Sequence, residues 1–110
     1  MGKLVYPELS YKIMGILFAV HNQLGPDCNE KHYQRMIGKY LNEEKIKYVE
    51  QSKIYVKRPE YIGTYYMDFV IEDKIVLEIK ASPRFSRNNI LQVLSYLRET
   101  GLELGILANF

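Results

Sequence analysis

Cysteine is nearly absent from this chain, since Cys28 is the only one among 110 residues. One thiol can form neither an intramolecular disulfide nor a cysteine-based zinc site, so neither can organise the fold. The low cysteine content fits a reducing compartment, and we predict a cytoplasmic protein. Long apolar runs are absent too. The most apolar segment, residues 13–20, is shorter than the roughly 20 residues of a membrane span. It also lacks the basic region and the small-residue cleavage site of a signal peptide. We expect no membrane partner.

The chain also lacks a strong charge of either sign. Fifteen Lys and Arg against thirteen Asp and Glu give a net charge of +2, too small to identify a nucleic acid as partner. A hydrophobic content of 47% is that of an ordinary globular protein, and the length predicts one domain over residues 1–110. Glycine-rich phosphate loops, Ser-His-Asp arrangements and H-E-x-x-H motifs are missing, which excludes kinase-like, serine-hydrolase and zincin enzymes.

Apolar residues at three- and four-residue spacing predict two helices in the first half of the chain. The first runs from Pro7 to Leu24 and ends at Gly25-Pro26. Asp27 and Glu30 have the spacing of a capping box at the start of the second helix. Glu30 also falls on the apolar stripe of that helix, which places its carboxylate on the core side.

The second half predicts three strands, a helix and a fourth strand. Extended chain is expected from Lys47 to Lys57 with a bulge or bend near Gln51, then a hairpin around the triplet 72–74. A third helix precedes a last strand, 104–110, which should run parallel to the hairpin's second strand because such crossovers are right-handed. The order α-α-β-β-β-α-β predicts an α/β (α+β) fold with a mixed four-stranded sheet flanked by helices.

A three-residue hairpin loop places Asp68 opposite Glu78, with Cβ atoms about 5 Å apart. Two acids so close destabilise a sheet unless a cation neutralises them, and carboxylates from adjacent strands suit Mg²⁺. Lys80 lies on the face of Glu78, since strand side chains alternate. Two acids and an ammonium are what metal-assisted phosphodiester hydrolysis needs. The alternatives are an Asp68–Lys80 ion pair with a solvated Glu78, or a one-residue slip that makes the acids diagonal neighbours.

Asp68 followed by Glu78-Ile79-Lys80 resembles the D…(D/E)xK signature of the PD-(D/E)xK nuclease superfamily. A wider pattern, from Gly25-Pro26 to the segment 105–110, is similar to the GxxExxY family within it. The chain departs from that family at Asp27, where the eponymous glycine is expected.

The resemblance implies a restriction-endonuclease-like core in which Asp68, Glu78 and the Ile79 carbonyl bind Mg²⁺ or Mn²⁺. Lys80 would activate the water. The acid on the second helix, Glu30, and the amide on the third, Gln92, would line the same site. The implied activity is hydrolysis of DNA phosphodiester bonds by a metal-activated water, with RNA as a further possible substrate. The alternative is a catalytically inactive module that binds nucleic acid or oligomerises.

Two groups of basic residues are candidates for contact with phosphates, although charged loops are usually only solvated. They are Arg84 and Arg87 after the motif, and Lys53, Lys57 and Arg58 in and after the first strand. The ten tyrosines suggest base stacking, but those of the strands fit simple β-propensity equally well, and we expect most of the ten in the partial core. Because one chain offers one site, cutting both DNA strands predicts a homodimer, and targeting predicts a protein partner.

Overall fold

The computed structural model describes residues 5–59, 61–84 and 86–110. It confirms the predicted class and element order, a mixed α+β arrangement of three helices and a four-stranded sheet. The elements in chain order are α1 (Pro7–Leu24), α2 (Glu30–Glu43), β1 (Tyr48–Val56), β2 (Gly63–Ile71), β3 (Ile75–Lys80), α3 (Arg87–Thr100) and β4 (Leu104–Asn109). In the parts of the chain so described, no helix is long and apolar enough to span a bilayer.

The strands lie in the order β1-β2-β3-β4, with the first three antiparallel and β4 parallel to β3 as predicted. The β2–β3 ladder has the register that a 72–74 loop requires, with Ile71 opposite Ile75 and Phe69 opposite Leu77. The ladder contains only three residue pairs and stops there. Beyond it β2 stays paired with β1, while β3 stays paired with β4, so the two central strands part. We call this point the fork.

Two apolar clusters cover the two faces of the sheet. The larger packs α1 and α2 against Phe69 and Leu77, and the smaller packs α3 residues such as Tyr96 against Met67 and Val76. Met67 and Phe69 are two residues apart on one strand, yet they belong to different clusters. Strict alternation would put both on one face. The strand face therefore changes at Asp68, the residue between them.

The start of α2 differs from the prediction. Asn29, not Asp27, is the N-cap, and its side chain accepts a hydrogen bond from the His32 amide at 3.0 Å. A turn that follows Gly25 carries the chain past Asp27, whereas Asn29 has the extended backbone that an N-cap needs (φ −83°, ψ 171°). The predicted capping box of Asp27 and Glu30 is therefore wrong.

Helix α3 is held close to β4 at Gly105. A Cβ atom added at this glycine would lie 2.5 Å from Cγ1 of Val93 and 3.4 Å from Cδ1 of Leu97. No side chain fits there unless Val93 or the helix shifts. The contact sets how far the face of α3 that carries Gln92 stands from the sheet.

Candidate active site

The structure brings Asp68 and Glu78 together at the fork. The backbone N–H of Asp68 donates to Oε1 of Glu78 at 2.8 Å, and the backbone N–H of Ile79 donates to Oδ2 of Asp68 at 2.8 Å. Each carboxylate thus reaches the main chain of the opposite strand, where the ladder's own hydrogen bonds have ended. The acids are neighbours as the hairpin register predicts, but their side chains occupy the gap between the strands.

Glu78 is almost completely buried, with 3% of its surface exposed. Burial, and after it the charge of Asp68, raise the pKa of its carboxyl to about 8, while the charge of Lys80 acts in the opposite direction. Once ionised, a buried acid beside another acid carries negative charge that the protein itself compensates poorly. A cation at this point would remove that cost.

Gln51 is a site residue that the sequence reasoning missed. Its Nε2 donates to Oδ1 of Asp68 at 3.0 Å. Its backbone lies in the left-handed region at φ 49°, which is rare for a residue other than glycine. The β1–β2 register is the same before and after Gln51, since Glu50 lies opposite Phe69 and Ser52 lies opposite Met67. The predicted irregularity is therefore a bend and not a bulge, because no extra residue is inserted. The sequence indicates the irregularity but not the contact with Asp68.

Glu30 reaches the same end of β3 from α2. It is exposed, so its expected place on the core side is wrong, because as the first helical residue it extends past the helix end. Its Oε2 accepts a hydrogen bond from the Ala81 amide at 3.3 Å, one residue beyond Lys80. An acid in the first turn is also favoured by the helix dipole. Glu30 therefore links the start of α2 to the chain directly after β3.

Helix α3 faces the site through Gln92 and Tyr96. Nε2 of Gln92 donates to the Tyr96 hydroxyl at 2.9 Å, and the tyrosine is 1% exposed. Burial raises the pKa of Tyr96 above its ordinary value, and the charge of Glu78 raises it further, so the ring lies within electrostatic reach of that acid. Tyr96 was not among the predicted site residues. Its four-residue spacing from Gln92 on one helix face is the signal that could have identified it.

The basic candidates are exposed, at two places in the fold. Arg84 and Arg87 lie between β3 and the first turn of α3, where the Ser82 hydroxyl donates to the Arg84 carbonyl at 2.8 Å. The other group lies in and just after β1: Lys53, Lys57 and Arg58. Lys80 is half-buried at the end of β3. Their contacts with phosphate stay a prediction.

The oxygen donors at the fork fit a hard divalent cation. Within the described ranges, no three His, Cys, Asp or Glu side chains come together to form a metal cage. The site offers two carboxylates, Asp68 and Glu78, with the Ile79 main chain beside them. Such a partial set suits Mg²⁺, which keeps several waters and takes few protein ligands. The raised pKa of Glu78 is the feature of this structure that a cation would relieve.

Comparison with known proteins agrees with this geometry. The family model described as the PD-(D/E)XK nuclease superfamily matches residues 7–110. No curated protein and no solved structure matches the chain. The family match takes in all seven elements of the fold, including both strands of the fork and the two helices that face it. The chain therefore belongs to the PD-(D/E)XK nuclease superfamily.

Proposed function

We propose that residues 1–110 form one nuclease domain that hydrolyses DNA phosphodiester bonds with Mg²⁺ or Mn²⁺, in the manner of the GxxExxY family. The observation that carries this proposal is the contact of Asp68 and Glu78 at the fork, where burial and mutual repulsion raise the pKa of Glu78. Two acids placed together at the fork lower the stability of the fold, so stability alone does not explain them. Superfamily membership supports nuclease chemistry.

Asp68, Glu78 and the Ile79 carbonyl are the groups that would hold the cation. When bound, it supplies a Lewis acid that polarises the phosphate and lowers the pKa of a coordinated water. The hydrogen bonds from Gln51 and the Ile79 amide orient the Asp68 carboxylate in advance. The reaction adds water across a P–O bond, giving one phosphate monoester and one hydroxyl end.

Lys80 is the proposed positioning group for the attacking water. It shares β3 with Glu78, and the two charges interact, since Lys80 opposes the rise in the pKa of Glu78. An ammonium there also offsets charge that develops on the phosphate oxygens. Gln92 and Glu30 would line the site from α3 and α2. Arg84 and Arg87 would bind backbone phosphates next to the one that is cleaved, since these arginines come shortly after β3.

One site per chain cuts one strand at a time. Double-strand cleavage would need two copies, so we include a homodimer in the proposal, together with a protein partner for targeting and a cytoplasmic location.

The test is hydrolysis of plasmid and linear DNA in Mg²⁺, Mn²⁺ or EDTA. We expect cleavage only with a divalent ion, and a loss of 100-fold or more in Asp68→Ala, Glu78→Gln and Lys80→Ala, on the order of other losses of catalytic groups. Lys39→Ala, an exposed lysine of α2, is the matched control and should cut normally. Undiminished cleavage by Asp68→Ala would overturn the site. Calorimetry with Mn²⁺ separates the alternative, because an inactive module would show no heat that depends on Asp68.

A further inference from the structure

Beyond the fork, β1 and β2 form a two-stranded arm made of residues 52–56 and 63–67. One face of the arm is covered, because Ile54, Val56, Tyr65 and Met67 pack into the apolar cluster below α3. The opposite face presents the alternate residues of both strands. We call it the arm face, and it consists of Lys53, Tyr55, Thr64 and Tyr66, all of them exposed.

The two tyrosines of the arm face are exceptions to the expectation that most tyrosines lie in the partial core, which Tyr48 and Tyr65 on the same strands follow. Tyr55 is 52% exposed and Tyr66 is 53% exposed. Large aromatic side chains that stay half in water on a sheet gain only part of the free energy that full burial would give. β-propensity explains why tyrosine suits these strands, but not why both rings are exposed on the same side.

The register sets the spacing of these rings. Lys53 lies opposite Tyr66, and Tyr55 lies opposite Thr64, so the two tyrosines are diagonal neighbours on adjacent strands. Diagonal neighbours on one face are about 7–8 Å apart. Successive nucleotides of a stacked strand rise about 3.4 Å each, so two rings at this distance match a spacing of two nucleotides.

The charge on the two strand segments of the arm has one sign. The two strand segments of the arm, 52–56 and 63–67, contain one lysine and no acid. Lys57 and Arg58 follow directly and are exposed. Aromatic rings beside lysines and an arginine make up the surface that non-specific single-strand binders use, where bases stack and cations follow the phosphates.

We propose that the arm face is a stacking platform for single-stranded nucleic acid and delivers an unpaired strand to the fork. Unpaired bases have free faces to place on Tyr55 and Tyr66, whereas the bases of a duplex are already stacked on each other. Tyr66 lies two residues before Asp68 on β2, so these rings and the fork are neighbours along the strand. The proposal takes nucleic acid as the partner from the proposed function, but it does not need cleavage.

The test is fluorescence anisotropy of a labelled 12-nucleotide dT strand, the rU strand of equal length and a 12-base-pair duplex, all in EDTA so that nothing is cut. We expect the intact chain to bind both single strands more tightly than the duplex, and comparing dT with rU decides between DNA and RNA. Tyr55→Ala and Tyr66→Ala should each weaken single-strand binding about 5- to 100-fold, the range of one lost stacking contact. Tyr55→Phe and Tyr66→Phe keep the ring and should bind within about twofold of the parent.

Tyr11→Ala is the matched control, since this tyrosine on α1 is 81% exposed and lies away from the arm. Equal binding by the parent and both alanine variants would overturn the proposal, as would tighter binding of the duplex. A dimer that dissociates in Tyr55→Ala, seen by sedimentation without nucleic acid, would also overturn it, because the face would then be an interface between copies. Failure of metal-dependent cleavage leaves these measurements unchanged, so the two proposals fail separately.

Discussion

The Asp68 carboxylate is held from both neighbouring strands: Gln51 on β1 donates to its Oδ1 at 3.0 Å, and the Ile79 amide on β3 donates to its Oδ2 at 2.8 Å. Both oxygens are therefore oriented by the protein itself. Removal of groups that orient a ligand carboxylate in this way typically weakens metal affinity about 10- to 100-fold.

Replacing Gln51 by alanine should weaken Mn²⁺ binding about 10-fold or more, because Asp68 loses one of its two orienting donors. Calorimetric titration of the two chains at equal pH measures the difference. Lys53→Ala changes a neighbouring exposed residue of the same strand and should leave the Mn²⁺ affinity unchanged. Equal affinities of Gln51→Ala and the parent would show that Gln51 does not orient the ligand.

Gln51→Gly separates the backbone from the side chain. The left-handed conformation at φ 49° suits glycine, whereas alanine is strained there. Gln51→Gly and Gln51→Ala both lack the amide, so both should bind Mn²⁺ weakly. The glycine variant should nevertheless be the more stable by about 1 kcal/mol in urea denaturation. If alanine is the more stable, the left-handed conformation is not retained in solution.

Stability of the metal-free chain should fall between about pH 4.5 and pH 8. Glu78 has a pKa of about 8 when folded and 4.5 ordinarily, so the folded state holds its proton more tightly. The stabilising contribution is complete below the lower value and is lost as pH rises through the upper one. Its size is on the order of a few kcal/mol.

Urea denaturation across this pH range measures the effect, and Glu78→Gln should flatten the curve because the variant has no proton to lose. Glu103→Gln, an exposed acid between α3 and β4, should keep the pH dependence of the parent. An unchanged slope in Glu78→Gln would assign the pH dependence to other groups.

Mn²⁺ binding should release a proton at pH 6–7, since Glu78 is protonated there and must lose its proton to bind the metal. Titrations in buffers of different ionisation enthalpy count the protons. We expect about one at pH 6–7 and far fewer above pH 9, where the carboxyl is already ionised. The same small count at both pH values would place the metal elsewhere.

Gly105→Ala should destabilise the fold by about 1–3 kcal/mol, because its Cβ would collide with Val93 at 2.5 Å. Thermal or urea denaturation reports the change. Gly15→Ala is the contrasting variant: an added Cβ on this α1 glycine meets nothing within 4 Å, so the variant should gain about 0.5–1 kcal/mol in helix propensity. Equal effects of the two substitutions would mean that α3 does not rest closely on β4.

The hairpin could be predicted from the sequence because its information is local. A triplet of polar residues between two apolar runs determines the register, and the register brings Asp68 to Glu78. The end of α1 at Gly25 is similarly local, since glycine adopts φ 72° without strain.

Three features could not be predicted in this way. Asn and Asp have similar N-cap preferences, so residue type does not decide between Asp27 and Asn29. Asn29 caps α2 because Asp27 lies in the turn that precedes the helix. The left-handed backbone of Gln51 runs against the preference of its residue type. Exposure of Tyr55 and Tyr66 depends on which sheet face α3 covers, which strand propensity does not specify.

The two proposed ligand strands belong to different halves of the sheet, β2 with β1 and β3 with β4. Three ladder pairs near the 72–74 turn and the hydrogen bonds of the two carboxylates join these strands. The distance between Asp68 and Glu78 therefore depends on the angle between the two halves of the sheet. The short β2–β3 ladder is the hinge between these halves. We expect a ligand that twists the β1–β2 half to change that angle and with it the distance between the acids. Binding on the outer strands and the spacing of the two carboxylates at the centre of the sheet would then respond to each other.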